Sequence, residues 1–231
     1  MINFTNVSKK FGNGIIAIED ISLDINHGEF VFLTGHSGAG KTTLLRLIIR
    51  EFLPTNGKVT VANQDTSKIK KADIPLFRRK IGVIFQDFKL LTDRTVSENI
   101  AIAKEILGEK NSNVSKEVEE MLKVVGLEKQ KDLFPAQIAG GEMQRTVIAR
   151  ALIQDPQIIL ADEPTGNLDP ATSWEILQIL STINKLGITV IMATHNAEIV
   201  NSLGKRVIRI EKGKIVSDEQ KGKYKTRGKH D

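Results

Sequence analysis

Three groups of residues have the types and spacing for phosphate chemistry. Gly35-His36-Ser37-Gly38-Ala39-Gly40-Lys41-Thr42, followed by Thr43, fits the pattern G-x-x-x-x-G-K-[ST] without a mismatch. Glycines let the backbone wrap a phosphate closely, and successive N–H groups make a nest for the anion. Lys41 would reach the β- and γ-phosphates as a point charge, and Thr42 would offer its hydroxyl to Mg²⁺. Asp162 and Glu163 close the apolar run Ile158–Ala161. A buried strand delivers such carboxylates to the carboxyl edge of a sheet, where ligands bind. Asp162 would join the Mg²⁺ shell through water, and Glu163 would polarise the attacking water as general base. The third group is Ile138–Arg145, IAGGEMQR. Two adjacent glycines at a helix start form a second anion-binding surface, which a chain with a complete phosphate loop would not need for the same nucleotide. Two single residues close further strand candidates: Gln86 after Ile81–Phe85, and His195 after Ile188–Thr194. Spacing alone leaves each open to a structural role or a contact with the reacting phosphate.

The elements that must position these groups alternate. Phe30–Thr34 is a buried-strand run that leads through the Gly-rich turn into a helical pattern over Thr42–Arg50. Ile81–Phe85, Ile158–Ala161 and Ile188–Thr194 are further strands, with a helix over Trp174–Leu186. This order predicts an α/β core with a parallel sheet. Ile2–Val7, Ile21–Ile25 and Lys58–Val61 are short strands with turn signals, expected to form an antiparallel β layer. From 87 to 154 the patterns are helical: Val96–Leu107, Val114–Val125 and Gly141–Gln154. The expected organisation is one domain over 1–231. Residues 1–86 and 155–216 would form the α/β core, 87–154 a helical insertion, and 217–231 a basic tail.

Composition narrows the classes. The 231 residues are 40% apolar, enough for a sizeable core, and contain no cysteine, which excludes disulfides and Cys-ligated metal sites. No window approaches the ~20 apolar residues of a membrane span, and the polar start lacks the apolar stretch of a signal peptide. Any membrane role is therefore expected to come through a partner. The net charge of +5 is concentrated at the end: the last eleven residues hold five Lys/Arg and one Asp. The basic character thus reads as a property of the tail, either solvated or drawn to an anionic membrane surface, and not as a nucleic-acid face on the body.

In combination and in this order, GHSGAGKT, Gln86, IAGGE, ILADE, GNLD (Gly166–Asp169) and His195 resemble the nucleotide-binding subunit of ABC-type ATPases, over roughly residues 2–216. The resemblance implies a P-loop ATPase core with a mixed sheet, ATP and Mg²⁺ as ligands, and a head-to-tail homodimer that sandwiches two ATP molecules. Each site would join one chain's GHSGAGKT to Ala139, Gly140, Gly141 and Glu142 of the other, so the second anion surface would serve the partner's γ-phosphate. Phe11 matches the position that stacks on adenine, usually a Tyr. Gln86 would touch Mg²⁺ and the attacking water and begin the segment facing a membrane partner. Asp169 would link the two sites across the dimer, and His195 would contact the γ-phosphate. Ala139 departs from the family's usual Ser. The missing hydroxyl should weaken the closed dimer by ~1.5–3 kcal/mol, the worth of a hydrogen bond to a charged group, slowing hydrolysis without abolishing it.

Gly35–Gly40, Phe85–Ile100 (FQDFKLLTDRTVSENI) and Gly166–Pro170 look like the cell-division branch of that family. That likeness implies a peripheral subunit at the cytoplasmic face of the plasma membrane, driving an FtsX-like integral membrane protein that activates peptidoglycan hydrolases. Asp87–Arg94 is the candidate docking segment, with Phe88, Leu90 and Leu91 either gripping the partner or packing on the helical insertion. LADEPTGNLD is shared with lipoprotein-release and macrolide-export ATPases, so an exporter subunit is the alternative. A slow ATP-gated scaffold is another, against which Glu163 stands. A P-loop kinase would leave IAGGE and GNLD without a role.

Overall fold

The computed structural model describes residues 1–106, 108, 111–222 and 224. Its first layer is an antiparallel sheet of β1 (Ile2–Lys10), β2 (Ile16–Ile25), β4 (Asn56–Val61) and β5 (Gln64–Asp65), in the order β2-β1-β4-β5. Alternation turns Ile21, Leu23 and Ile25 of β2 inward, and an irregularity at Glu19–Asp20 resets the period so that Ile18 is buried too.

The second sheet holds the chemistry. It comprises β3 (Phe30–Thr34), β6 (Ile81–Ile84), β7 (Ile158–Asp162), β8 (Thr189–Ala193), β9 (Arg206–Glu211) and β10 (Lys214–Glu219), ordered β10-β9-β3-β8-β7-β6. Five strands run parallel, and β10 returns antiparallel on β9. β3 and β8 are buried at every residue, because a parallel sheet is covered on both faces. The period of two divides their side chains between two cores. Val31, Leu33, Ile158, Leu160 and Ile191 face the antiparallel sheet and α1 (Lys41–Ile48). Phe30, Phe32, Ile159, Val190 and Met192 face the other side. There they join residues of α3 (Val96–Glu105), α4 (Asn111–Val125), α5 (Gly140–Leu152), α6 (Pro170–Lys185) and α7 (Ala197–Leu203). A short helix, α2 (Ile74–Arg78), precedes β6.

From 87 to 154 the described residues form helices and 3₁₀ turns with no strand. α3 begins with a reciprocal cap: Glu98 N–H donates to the Thr95 hydroxyl and Thr95 N–H to the Glu98 carboxylate. Its first N–H groups, on Val96 and Ser97, donate to the carbonyls of Leu133 and Lys131. α5 lies against β6 so closely that a Cβ on Gly82 would stand 2.7 Å from the Ala151 carbonyl oxygen.

Two expectations change. β9, β10 and α7 were not foreseen from the sequence, and β10 runs three residues past the tail boundary expected at 216. The reason is a buried charge. Arg206 opens β9 and donates to both carboxylate oxygens of Asp218, to Glu29 and to the Asp24 carbonyl, at 2.7–2.8 Å. A strand that begins with a satisfied arginine does not look like a core strand in sequence. Tyr224 is also buried, and its backbone N–H and C=O pair with the Asn201 side chain. The rest of the expected tail (223 and 225–231) and Leu107 of the expected helix lie outside the described residues.

Candidate functional site: a nucleotide cleft at the carboxyl edge of the sheet

The carboxyl ends of β3, β6, β7 and β8 converge on one cleft of about 580 Å³. Its lining includes His36–Thr43, Gln86, Asp162, Glu163 and His195. The loop after β3 is shaped by backbone contacts. Gly35 has φ 148 and a Cβ there would meet the Ile210 carbonyl at 2.2 Å; Gly40 has φ 113 and would meet that of Ala17 at 2.6 Å. Neither position tolerates a side chain. The β9–β10 turn braces the loop: Gly213 N–H donates to the Ala39 carbonyl while the Gly213 carbonyl accepts from Glu19 N–H. The hairpin missing from the sequence reading thus holds the motif that was most legible in it.

The Lys41 side chain is buried. Its ammonium donates to the carbonyls of Gly35 (2.8 Å) and His36 (3.2 Å) and lies 3.8 Å from Glu163 Oε1. Glu163 Oε2 is 3.0 Å from His195 Nδ1. Glu163 itself occupies the left-handed region (φ 50), a costly conformation for a residue with a Cβ. It is thereby fixed between a cation on one side and an imidazole on the other. Asp162 accepts from the Thr42 hydroxyl, yet burial raises its pKa above the ordinary carboxylate value, helped by the neighbouring Glu163 charge. A carboxylate made uncomfortable by burial beside a hydroxyl is a donor pair for a hard cation. Among the described residues no three acidic, His or Cys side chains group as a metal cage. Mg²⁺ in phosphate sites takes one or two protein oxygens and completes its shell with phosphate and water, so Thr42, Asp162 and Gln86 fit it.

Other expected residues lie elsewhere. Ala139–Glu142 and Asp169 do not line the cleft. Ala139 is the N-cap of α5 and contributes no side-chain cap. Glu142 is committed: it accepts from Ala139 N–H and from the Gln130 side chain, both at 2.8 Å. Within one copy, Glu142 thus positions the loop through its helix start. Asp169 caps α6, accepting from Thr172 N–H at 3.0 Å and from its hydroxyl, which lowers the Asp169 pKa. Phe11 packs edge-on against Phe52, ring centres 5.2 Å apart, outside the cleft lining. The exposed Ile15 and Ile16 line it instead. Their signal in the sequence was two isoleucines with no amphipathic partner, just after the turn at Gly12–Gly14.

In the segment 87–94, Phe88 and Leu90 pack against the main core, and Leu91 is exposed. Phe88 and Lys89 both have positive φ, and Arg150 of α5 donates to both their carbonyls, at 3.0 and 2.8 Å. Asn99 is fully buried and clamps the next turn: it accepts from Leu91 N–H and donates to the carbonyls of Leu91, Arg94 and Thr95. Neither clamp was foreseen.

A phosphate loop, a carboxylate pair at the end of a parallel strand, and a capped Gly-Gly helix start define an ATP-binding cassette. The sequence profile of the ABC transporter family matches residues 18–166. The chain belongs to that family and is an ATPase of the ABC type. It is 51% identical over 224 residues to the cell division ATP-binding protein FtsE of Bacillus subtilis, covering 97% of this chain and 98% of that one. It is 49% identical to FtsE of Streptococcus pneumoniae over 97% of each, and 43% to that of Escherichia coli over 93% and 97%. Among solved structures, a dimeric ATP-binding cassette in a post-hydrolysis state with ADP and Pi matches with TM-score 0.87 and 35% identity, over 97% of this chain and 100% of that one.

The glycine pair has a packing role that can be tested. A Cβ on Gly141 would lie 2.4 Å from Thr172 Cγ2, with the next atoms at 3.7 and 3.8 Å. Gly141→Ala should therefore push Thr172 off its bond to Asp169, costing about 1–3 kcal/mol of stability by overpacking and lowering ATPase activity. Adding Thr172→Ser removes only the clashing methyl and should restore both. Urea denaturation and phosphate release check it, and a harmless single variant overturns the account.

Proposed function

We propose that the chain is the ATP-driven subunit of a bacterial cell-division complex. Two copies close head to tail around two ATP molecules, and this motion is passed to an FtsX-like integral membrane protein that regulates peptidoglycan hydrolysis. The reading places the chain peripherally at the cytoplasmic membrane face. One observation carries the dimer: the cleft gathers Lys41, Thr42, Asp162, Glu163 and His195, while the second glycine-rich helix start at Ala139–Gly141 does not line it. Dimeric solved relatives and the cell-division names of the sequence relatives support the assignment.

The roles follow from position. Lys41 holds the β- and γ-phosphates, exchanging the carbonyls of Gly35 and His36 for phosphate oxygens. Ser37–Thr43 donate backbone N–H groups, and Ile15 and Ile16 offer an apolar bed for the base near Phe11. Glu163 takes a proton from the attacking water, and His195, bonded to it, orients the carboxylate and faces the γ-phosphate. Thr42, Asp162 and Gln86 would hold Mg²⁺, which supplies charge neutralisation at the phosphates. The partner copy's Gly-Gly helix start completes the site. Hydrolysis removes the shared γ-phosphate contacts, and the dimer opens by loss of differential binding. Arg150 ties the helix that begins at the Gly-Gly pair to the segment 88–89, so closure and the membrane-facing segment move as one body.

Three outcomes test this. Glu163→Gln should lower hydrolysis by about 10²–10⁴-fold and accumulate an ATP-dependent dimer in size-exclusion chromatography; a monomer that still turns over ATP refutes the reading. Ala139→Ser completes the cap on α5, worth about 0.5–2 kcal/mol, and restores the γ-phosphate donor. Nucleotide-free melting should rise modestly, and ATP-driven dimerisation about tenfold beyond it; unchanged dimerisation refutes the donor role. Leu91→Glu should abolish co-purification of the membrane partner while leaving melting and basal ATPase intact, and retained co-purification refutes docking through this segment.

A further inference from the structure

Charge counted over the whole body conceals a cluster. Residues 66–80 contain six Lys/Arg and one Asp, a net +5; the last eleven residues carry +4; the remaining 205 carry 22 Lys/Arg and 26 Asp/Glu, a net −4. The basic character is therefore not confined to the tail, where the sequence reading placed it. Within the cluster, Arg78 is spent at the end of α1, donating to the Ile49 and Arg50 carbonyls. Lys68, Lys70, Lys71 and Arg79 are exposed; among the described residues none of them forms a close ion pair or side-chain hydrogen bond, although the Lys68 charge acts on the Asp65 carboxylate. Lys68, Lys70 and Lys80 line one cleft of about 530 Å³ with Leu76 and Phe77. Leu76 is 59% exposed, and Phe77 is buried beneath it. Asp73 also lines the cleft, as does Asp65, which is paired with Lys58.

We propose that this face binds the anionic surface of a lipid bilayer. Its cations are mostly lysines, compact charges on flexible stems, which suit a diffuse field of phosphates better than bidentate recognition of one group. An exposed leucine between them suits the headgroup boundary. A face for single-stranded nucleic acid would present aromatic platforms, and the aromatic ring here is buried. Place in the fold agrees. Lys80 precedes β6 and the segment 87–94 follows it, and β6 is the edge strand of its sheet, only four residues long. The basic face and the proposed docking segment thus adjoin the two ends of one edge strand. The choice of a bilayer rests on the membrane-facing reading of that segment. No residue lining this face lines the nucleotide cleft, so ATP chemistry should not depend on it.

The test is co-sedimentation of the full chain with vesicles of phosphatidylcholine alone or with phosphatidylglycerol added. Binding is expected only with the anionic lipid and should weaken with salt. Lys68→Glu, Lys70→Glu and Lys71→Glu together should lower partitioning at least about tenfold, while Lys→Arg at the same three positions preserves it and both variants keep basal ATPase. A full chain with the five basic residues of 221–231 changed to Gln should retain most binding. Undiminished binding by the Glu variant, loss of all binding on neutralising 221–231, or binding of an oligonucleotide or an acidic peptide without vesicle binding would each overturn the proposal. Failure here leaves the Leu91→Glu co-purification result standing, so the two readings fail separately.

Discussion

A buried ammonium organises this molecule. Lys41 sits beneath the phosphate loop with two backbone carbonyls and, at 3.8 Å, one carboxylate for company. Burying a charge is costly unless it is paired and hydrogen-bonded, and carbonyl oxygens satisfy a cation only in part. The site is therefore built around a standing demand for anion, and phosphate meets it. The surrounding residues keep that demand in place. β3 is held centrally between β8 and β9, glycines at 35 and 40 admit close backbone approach, and the β9–β10 turn hydrogen-bonds the loop from behind.

The acidic side of the cleft is tuned by the same burial. Burial raises the Asp162 pKa above the ordinary carboxylate value, while Glu163 is held by Lys41 and His195 in a backbone conformation that few residues accept. A nucleotide with its cation would relieve the first and exploit the second. The cost of such strain is met by the packed sheet, whose strands on either side of β7 are fixed by continuous parallel ladders. α5 then joins chemistry to mechanics, since its start carries the Gly-Gly pair and its last turn carries Arg150, the clamp on 88–89.

Much of this was legible in the sequence. The phosphate loop, the Asp162–Glu163 pair and the apolar strands leading to them are local patterns, read within ten residues or so. The strands Phe30–Thr34, Ile158–Asp162 and Thr189–Ala193 show as apolar runs because both faces are buried. What stayed hidden involves partners far apart in the chain. Arg206 reads as a surface residue until Glu29 and Asp218 are brought to it. Whether Phe88 and Leu90 grip a partner or pack inward stays open in the sequence until the core is seen against them.

The sequence by itself thus determined which groups have the chemistry to bind phosphate, to carry a cation or to take a proton, and that a second glycine-rich helix start exists. Those properties reside in side-chain type and short spacing. Only the tertiary structure decided which residues share the cleft, what braces the phosphate loop, where the basic cluster of 66–80 faces, and how the segment after Gln86 is tied to α5. These depend on contacts between residues tens to nearly two hundred positions apart, and no local pattern encodes where a distant partner will come to rest.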